Sequence, residues 1–303
     1  MLSVVITAWN EAKNLPRAVR SVADIADEVV VVDNGSTDST ASVAKSLGAH
    51  VFHYPNSRYV EPVRNFSISK AGGDWILLLD ADEEVPPTLA AVIKKVIAAK
   101  TADYYRLPRK NLIFGRWIKS SHWWPDYVYR LFKKGHITWK ETIHSIPITR
   151  GQGADLPAEE ATALVHHHYD SISQYLDRLN RYTDVQADEL AQKDYKFAWA
   201  DLLIKPADEF LTQYFARNGF AEGLHGLALA LLQAFSALVL YLKMWQRTGF
   251  AESHIKLENL KSVANTKRKE ALWWYLQTKI DSASPLLQPY WKLIRRLGHK
   301  TKS

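Results

Sequence analysis

Residues 73–86 read GDWILLLDADEEVP, an apolar run from Trp75 to Leu79 that breaks off into Asp80, Asp82, Glu83 and Glu84. A run this short and this apolar predicts a buried strand. Side chains at i and i+2 leave an extended strand on one side, so Asp80 and Asp82 share a side. At the C-terminal end of a strand in an open α/β sheet, where ligands bind, such a pair can face one hard cation and the diphosphate it carries. Taken alone, a D-x-D is more often a solvated acidic turn. The rest of the chain reverses that balance.

The surrounding sequence alternates strand and helix. Leu2–Thr7 is an apolar strand, and Glu11–Ile25 reads as a helix with Leu15, Ala18, Val19, Val22 and Ile25 on one face. Glu28–Val32 is a second strand, ending in Asp33, and the turn NGSTDST of 34–40 caps a helix to about Leu47. A strand at His50–Tyr54, a helix at Glu61–Ala71 and a helix at Pro87–Ala99, opened by Pro86-Pro87, complete the pattern. Short strands spaced by helices predict parallel βαβ units. Residues 103–150, rich in aromatic and β-branched side chains, read as strands and loops that extend the sheet. Gln152–Pro157 reads as a loop and Val165–Tyr169 as a last strand.

From Ser171 onward the sequence is helical, beginning with a capped amphipathic helix over Ser171–Lys193. Leu227–Leu242 is 16 residues without a charge. That falls short of the roughly 20 needed to span a bilayer, so it predicts either a buried helix or one lying in a membrane interface.

Charge is unevenly spread. The last 50 residues carry 11 Lys/Arg against 3 Asp/Glu, a charge of +8, while the rest of the chain carries −1, giving the net +7. Trp273, Trp274, Tyr275, Tyr290 and Trp291 are interleaved with those basic residues. Aromatic and basic side chains together favour an anionic membrane surface. No nucleic-acid-binding motif accompanies them, so no nucleic-acid partner is expected. With no cysteine there is no disulfide framework, no thiolate zinc site and no cysteine nucleophile. The opening MLSVVITAWNE lacks a basic leader and apolar core, so no signal peptide is expected.

If the sheet is parallel, Glu11, Asp33, Asp80 and Asp82 all fall at C-terminal strand ends, on one edge. Each has a bland explanation alone: Glu11 favours a helix macrodipole and Asp33 suits a turn. A shared edge is harder to explain that way. Asn10 and Asp33 can hydrogen-bond a base or ribose, Asp80 can hold ribose or metal, and Asp82 the metal.

VVITAWNEAKNLPRAVRSV, VVVDNGSTDST, the VRN of 63–65 and WILLLDADEEVP, in this order and spacing, closely resemble family 2 glycosyltransferases of the GT-A fold. The match covers residues 1 to about 100. A looser likeness continues through WPDYVYRLF, an IH dipeptide, HHHYDSISQYLDRLNRYT and GFAEGLHGLALALLQAFSALVLYLKMW, and resembles the bacterial lipopolysaccharide-core β-glycosyltransferases. The resemblance implies an α/β GT-A domain over 1–170, with a nucleotide-binding part at 1–100 and an acceptor part at 101–170, followed by a helical, basic, membrane-associating extension at 171–303. It implies inverting transfer from a nucleotide sugar, a UDP-sugar in the first instance, to a lipid-linked or cell-envelope glycan. Glu11 and Asp33 would contact the nucleotide with Asn10 beside them. Arg64 would lie near the diphosphate, Asp80 would meet ribose or metal, and Asp82 would bind Mg²⁺ or Mn²⁺. The implied location is cytoplasmic, peripheral on the inner face of the cytoplasmic membrane.

An inverting transfer needs a carboxylate to take the acceptor hydroxyl's proton. Where that branch carries a His-Glu pair, this chain has His144-Ser145. Glu141 and Asp126 are the candidate bases, and His144 a further site residue. Arg130 can meet phosphate or form a surface ion pair. His166, His167 and His168 resemble a metal cluster, but alternation in a strand turns the middle one away. Two further readings remain: a polyprenyl-phosphate sugar transferase, whose phosphate acceptor needs no strong base, and a non-enzymatic nucleotide-sugar-binding or scaffold protein. A nucleotidyltransferase would carry a Gly-rich basic loop near its N-terminus, which TAWNEAKN is not.

Overall fold

The computed structural model describes residues 1–57, 60–140 and 146–300. They form two compact units: Met1–Ile118 with Trp123–Asp170, and Lys119–His122 with the chain from Ser171 onward.

The first unit is built on one large mixed sheet. Strands β1 (Leu2–Ala8), β2 (Glu28–Asp33), β3 (His50–His53) and β4 (Trp75–Asp80) run parallel in the order β3-β2-β1-β4. All seven residues of β1 are buried. Alternate side chains enter two different cores. Val4 and Ile6 pack with Leu15, Ala18, Leu77, Leu89 and Ile93, while Val5 packs with Val30, Val63, Ile76, Phe132 and Trp139. A sheet covered on both faces explains why its strands read as continuous apolar runs rather than alternating ones.

Beyond β4 the sheet changes direction. After β5 (Glu83–Glu84), strands β6 (Tyr104–Ile113), β7 (Arg116–Trp117) and β8 (Asp126–Lys133) follow, with β8 antiparallel to both β4 and β6. A small separate ribbon pairs β9 (Ile137–Thr138) with β10 (Ile148–Thr149). Strand β11 (Gly153–Asp155) lies parallel to β6, as does β12 (Leu164–Tyr169), against which β5 folds back antiparallel. The loop expected at Gln152–Pro157 is thus partly strand. Its composition hides this, because the pairing is reinforced by a side chain: Asp155 accepts two 2.7 Å hydrogen bonds from Arg106 of β6.

Helices α1 (Leu15–Ser21), α2 (Thr40–Ser46), α3 (Glu61–Ser69) and α4 (Pro87–Ala99) connect the parallel strands. The helix expected over Glu11–Ile25 is shorter at both ends. Pro16 has no N–H to give and sits in the first turn, where that group would be unpaired anyway. Glu11 lies in the preceding turn, and its carbonyl accepts from Leu15 N–H at 2.9 Å. The five apolar positions nonetheless all face the core.

The second unit is helical. It contains α5 (Ile172–Gln192), α6 (Asp201–Leu211), α7 (Leu224–Arg247), α8 (Leu257–Ser282) and α9 (Gln288–Lys300). Ser171 caps α5, its hydroxyl accepting from Gln174 N–H. The apolar stretch Leu227–Leu242 belongs to a longer helix than its composition implied. At 24 residues α7 is long and apolar enough to cross a membrane, and only 17% of its apolar window is buried. Its charged end continues the helix because Lys243 pairs with Asp184 at 2.6 Å and Arg247 with Asp188, both on α5. Both side chains are therefore tied to α5. The exposed large apolar side chains of α7 are Leu224, Leu231, Phe235 and Leu242. Their spacing of 7, 4 and 7 residues sets them in one apolar stripe.

Candidate active site

The order β3-β2-β1-β4 places the reversal of strand order at β1, with β2 on one side and β4 on the other. Asp33 pairs in register with Ala8, and Asp80 with Thr7. The two carboxylate-bearing strand ends thus flank the end of β1, where an open α/β sheet receives ligands.

Asp33 is buried. Its Oδ1 accepts from Ser36 N–H at 3.1 Å, and its Oδ2 meets the exposed ring of His53 at 3.1 Å. Asn10 adopts a left-handed backbone conformation, φ 55°, which short amide side chains tolerate. Its Oδ1 accepts from Thr37 N–H at 2.8 Å and Asp38 N–H at 3.3 Å, tying the β1 end to the 34–40 turn. Glu11 accepts from Asn14 Nδ2 at 2.8 Å, while its own N–H donates to Thr40 Oγ1 at 2.8 Å. All three expected nucleotide residues therefore meet at one turn.

At the other side of β1, Asp80 is gripped by guanidinium groups: Oδ1 by Arg64 at 3.3 Å and Oδ2 by Arg130. Burial pushes the Asp80 carboxyl up, but Arg130 and Arg64 outweigh this and hold it below the usual carboxylate range. Arg64 itself is pulled down by burial against the attraction of Asp80, and its guanidinium lies 5.4 Å above the Trp139 ring. Arg130 is almost wholly buried between Asp80 and Glu83 and is raised, because those carboxylates overcome its desolvation. It is neither a phosphate ligand at the surface nor an exposed ion pair.

Glu83 is the residue that sequence reasoning passed over. Fully buried, it accepts from Arg130 at 2.7 Å, from Arg109 at 3.2 Å and from Asp80 N–H at 3.0 Å. Arg109 then donates twice to Asp126 Oδ2, at 2.9 and 2.7 Å. Asp126 thus opens β8 as a buttress of this network. Glu141 and His144 lie outside the described residues.

Asp82 has a different neighbour. Because β5 folds back on β12, Asp82 C=O accepts from His167 N–H at 2.9 Å, and Asp82 Oδ2 lies 3.4 Å from His166 Nε2. His168 Nδ1 stands 3.2 Å from the same nitrogen. His167 points elsewhere, to Glu84 at 3.1 Å, as alternation requires. Among the described residues no group of three or more His, Cys, Asp or Glu closes around a cation position. The donor set is thus a carboxylate and an imidazole side by side. The carboxylate suits Mg²⁺ or Mn²⁺, the imidazole beside it favours Mn²⁺ over the oxygen-demanding Mg²⁺, and water and substrate phosphate would complete the shell. Both Asp80 oxygens receive guanidinium N–H groups, so Arg64 and Arg130 fix the orientation of its carboxylate.

A buried, largely parallel sheet with acidic groups at its carboxyl edge is the arrangement at which open α/β sheets receive ligands. The family model for glycosyl transferase family 2 matches residues 3–151. An uncharacterised glycosyltransferase of Rickettsia typhi is 31% identical over 252 residues, covering 80% of this chain and 86% of its own. The lipopolysaccharide core biosynthesis glycosyltransferase LpsC of Rhizobium meliloti is 24% identical over 253 residues, 81% of this chain and 92% of its own. Among solved structures, glucosyl-3-phosphoglycerate synthase of Mycobacterium tuberculosis aligns at 23% identity and a TM-score of 0.32, over 37% of this chain and 43% of its own. The chain belongs to glycosyl transferase family 2. It is a transferase enzyme of the GT-A class, carrying additional C-terminal helices.

Proposed function

We propose that the protein is an inverting, divalent-metal-dependent glycosyltransferase that moves a sugar from a UDP-sugar to a lipid-linked or cell-envelope glycan. The observation that carries this reading is the pairing of Asp82 with His166 on the same sheet edge as Asp33 and Asp80. Asp33 and Glu11 line the base and ribose site, with Asn10 holding the turn that presents them. Arg64 faces the diphosphate from beside Asp80, which fixes the guanidinium and meets the ribose. Asp82 and His166 would hold Mg²⁺ or Mn²⁺. Bound there, the cation would stabilise the negative charge that gathers on the leaving diphosphate.

In the transfer, the acceptor oxygen bonds to the anomeric carbon as that carbon's bond to the diphosphate oxygen breaks. The hydroxyl proton passes to a carboxylate on the opposite face of the sugar. Asp126 is committed to Arg109 and Asn111, so Glu141 is the base, with His144 an acceptor contact. The name of the Rhizobium relative, a lipopolysaccharide core enzyme, supports an envelope acceptor.

The helical unit tethers the enzyme to the inner face of the cytoplasmic membrane. The apolar stripe of α7 would lie at the headgroup–acyl boundary and the basic α8–α9 segment on anionic headgroups. A polyprenyl-phosphate acceptor is the second reading, favoured by the length of α7. The experiment for the main reading is a thermal-shift screen of nucleotide sugars with and without Mn²⁺. A UDP-sugar that stabilises the protein more with Mn²⁺ supports it. Indifference to every nucleotide sugar contradicts it.

A further inference from the structure

Asn111 lies in β6, fully buried, between two groups the mechanism uses or discards. Its Nδ2 is 3.0 Å from the Trp123 carbonyl and 3.0 Å from Asp126 Oδ2. Both of those oxygens only accept, so the amide's two N–H groups must point at them. The reverse orientation would set the amide oxygen against a carbonyl and a carboxylate. Asn111 Oδ1 consequently faces His166 Nδ1, at 2.6 Å. An amide oxygen cannot donate, so Nδ1 carries the proton.

We infer that Asn111 is a positioning residue that locks His166 in the Nδ1–H form, presenting the Nε2 lone pair toward Asp82 for a divalent cation. The inference rests on the reading that Asp82 and His166 hold the metal. It adds what makes that imidazole a ligand, since the nitrogen that binds a metal is set by the hydrogen bond its partner nitrogen makes. The chain of contacts runs from Arg109 through Asp126 and Asn111 to His166, and each link fixes the next. Asp126 thereby acquires a role as the carboxylate that orients the amide.

Two measurements on the full chain test this. Long-range ¹H–¹⁵N correlation spectra of the metal-free protein should show a proton on His166 Nδ1. A ring protonated on Nε2 alone overturns the inference without any substitution. Mn²⁺ binding is then followed by electron paramagnetic resonance, in the presence of UDP, for wild type, His166→Ala and Asn111→Leu. Loss of an outer partner of a metal ligand typically weakens affinity about 10–100-fold, and Asn111→Leu should fall in that range. If His166→Ala weakens Mn²⁺ binding and a folded Asn111→Leu does not, the positioning role is wrong while the metal reading stands. If His166→Ala itself leaves Mn²⁺ affinity unchanged, the metal reading fails at His166 and the inference falls with it.

Discussion

His166 Nε2 lies 3.4 Å from Asp82 Oδ2, although β4 and β12 are not neighbours in the sheet. The contact exists because β5, only two residues long, turns the acidic run back to pair His166 with Glu83. The neighbouring Asp80 is spent on two arginines. Two carboxylates that look equivalent in a D-x-D therefore have separate tasks: one neutralises buried guanidinium groups and the other faces a histidine.

This division predicts the behaviour of Asp80→Asn. The Asp80 carboxyl is held below its ordinary value of 3.8. Its ionised form therefore adds stability that is complete above that value and is lost as pH falls through the lower, folded-state value. Removing one partner of a buried ion pair costs on the order of 3–5 kcal/mol. Asp80→Asn should therefore lower stability markedly at pH 7, and the gap from wild type should narrow below about pH 4. Urea denaturation at several pH values measures it. A gap that does not depend on pH would show that the Asp80 charge is not what stabilises the site.

Asp126 and Glu141 are separated by what each loses. Asp126→Asn removes the acceptor of Arg109 and Asn111 and should destabilise by about 1–3 kcal/mol, read as a fall in Tm. Glu141→Gln should leave Tm unchanged and slow single-turnover transfer about 10²–10⁴-fold. A large rate loss in Asp126→Asn at saturating Mn²⁺, with Tm preserved, would reverse the two roles.

Much of this was legible in the sequence, for identifiable reasons. Parallel strands buried on both faces leave uninterrupted apolar runs, so β1, β2 and β4 announce themselves, and the carboxylates at their ends come with them. Pro86-Pro87 marks the start of α4 to the residue. Strand β11 was hidden because its residues, Gly153–Asp155, have no strand composition and are held by Arg106. The burial of Arg130 and Glu83 was hidden because charge patterns read as surface until a partner is known, and the partners lie tens of residues away. The His166–Asp82 contact depends on the β5–β12 pairing, which no local pattern encodes. The ion pairs that Lys243 and Arg247 of α7 make with α5 could not be read from the uncharged stretch Leu227–Leu242 alone.

Nucleotide contact is tested at Asp33. Asp33→Ala should weaken UDP binding even without metal, by about 0.5–1.5 kcal/mol for one neutral hydrogen bond, in calorimetric titrations. Unchanged affinity would place the base elsewhere.

Membrane association is tested by vesicle co-sedimentation. Full-length protein should pellet with vesicles containing anionic lipid at low salt and be released by high salt. Leu231→Lys combined with Phe235→Lys should abolish pelleting if the α7 stripe enters the interface. Lys292→Gln combined with Arg296→Gln should weaken it, each basic residue near the surface contributing about 1 kcal/mol. Protein that resists both high salt and carbonate would instead be inserted through the bilayer.

The central claim is that Asp82 and a divalent cation together act on a nucleotide sugar. Nucleoside diphosphate release from a panel of nucleotide sugars, by the purified full chain with Mn²⁺ or with excess EDTA, tests it most directly when wild type and Asp82→Asn are run side by side. The account predicts release from at least one donor, a UDP-sugar, that requires Mn²⁺ and disappears in Asp82→Asn while the variant stays folded. Full release in EDTA, or undiminished release by Asp82→Asn, would contradict it.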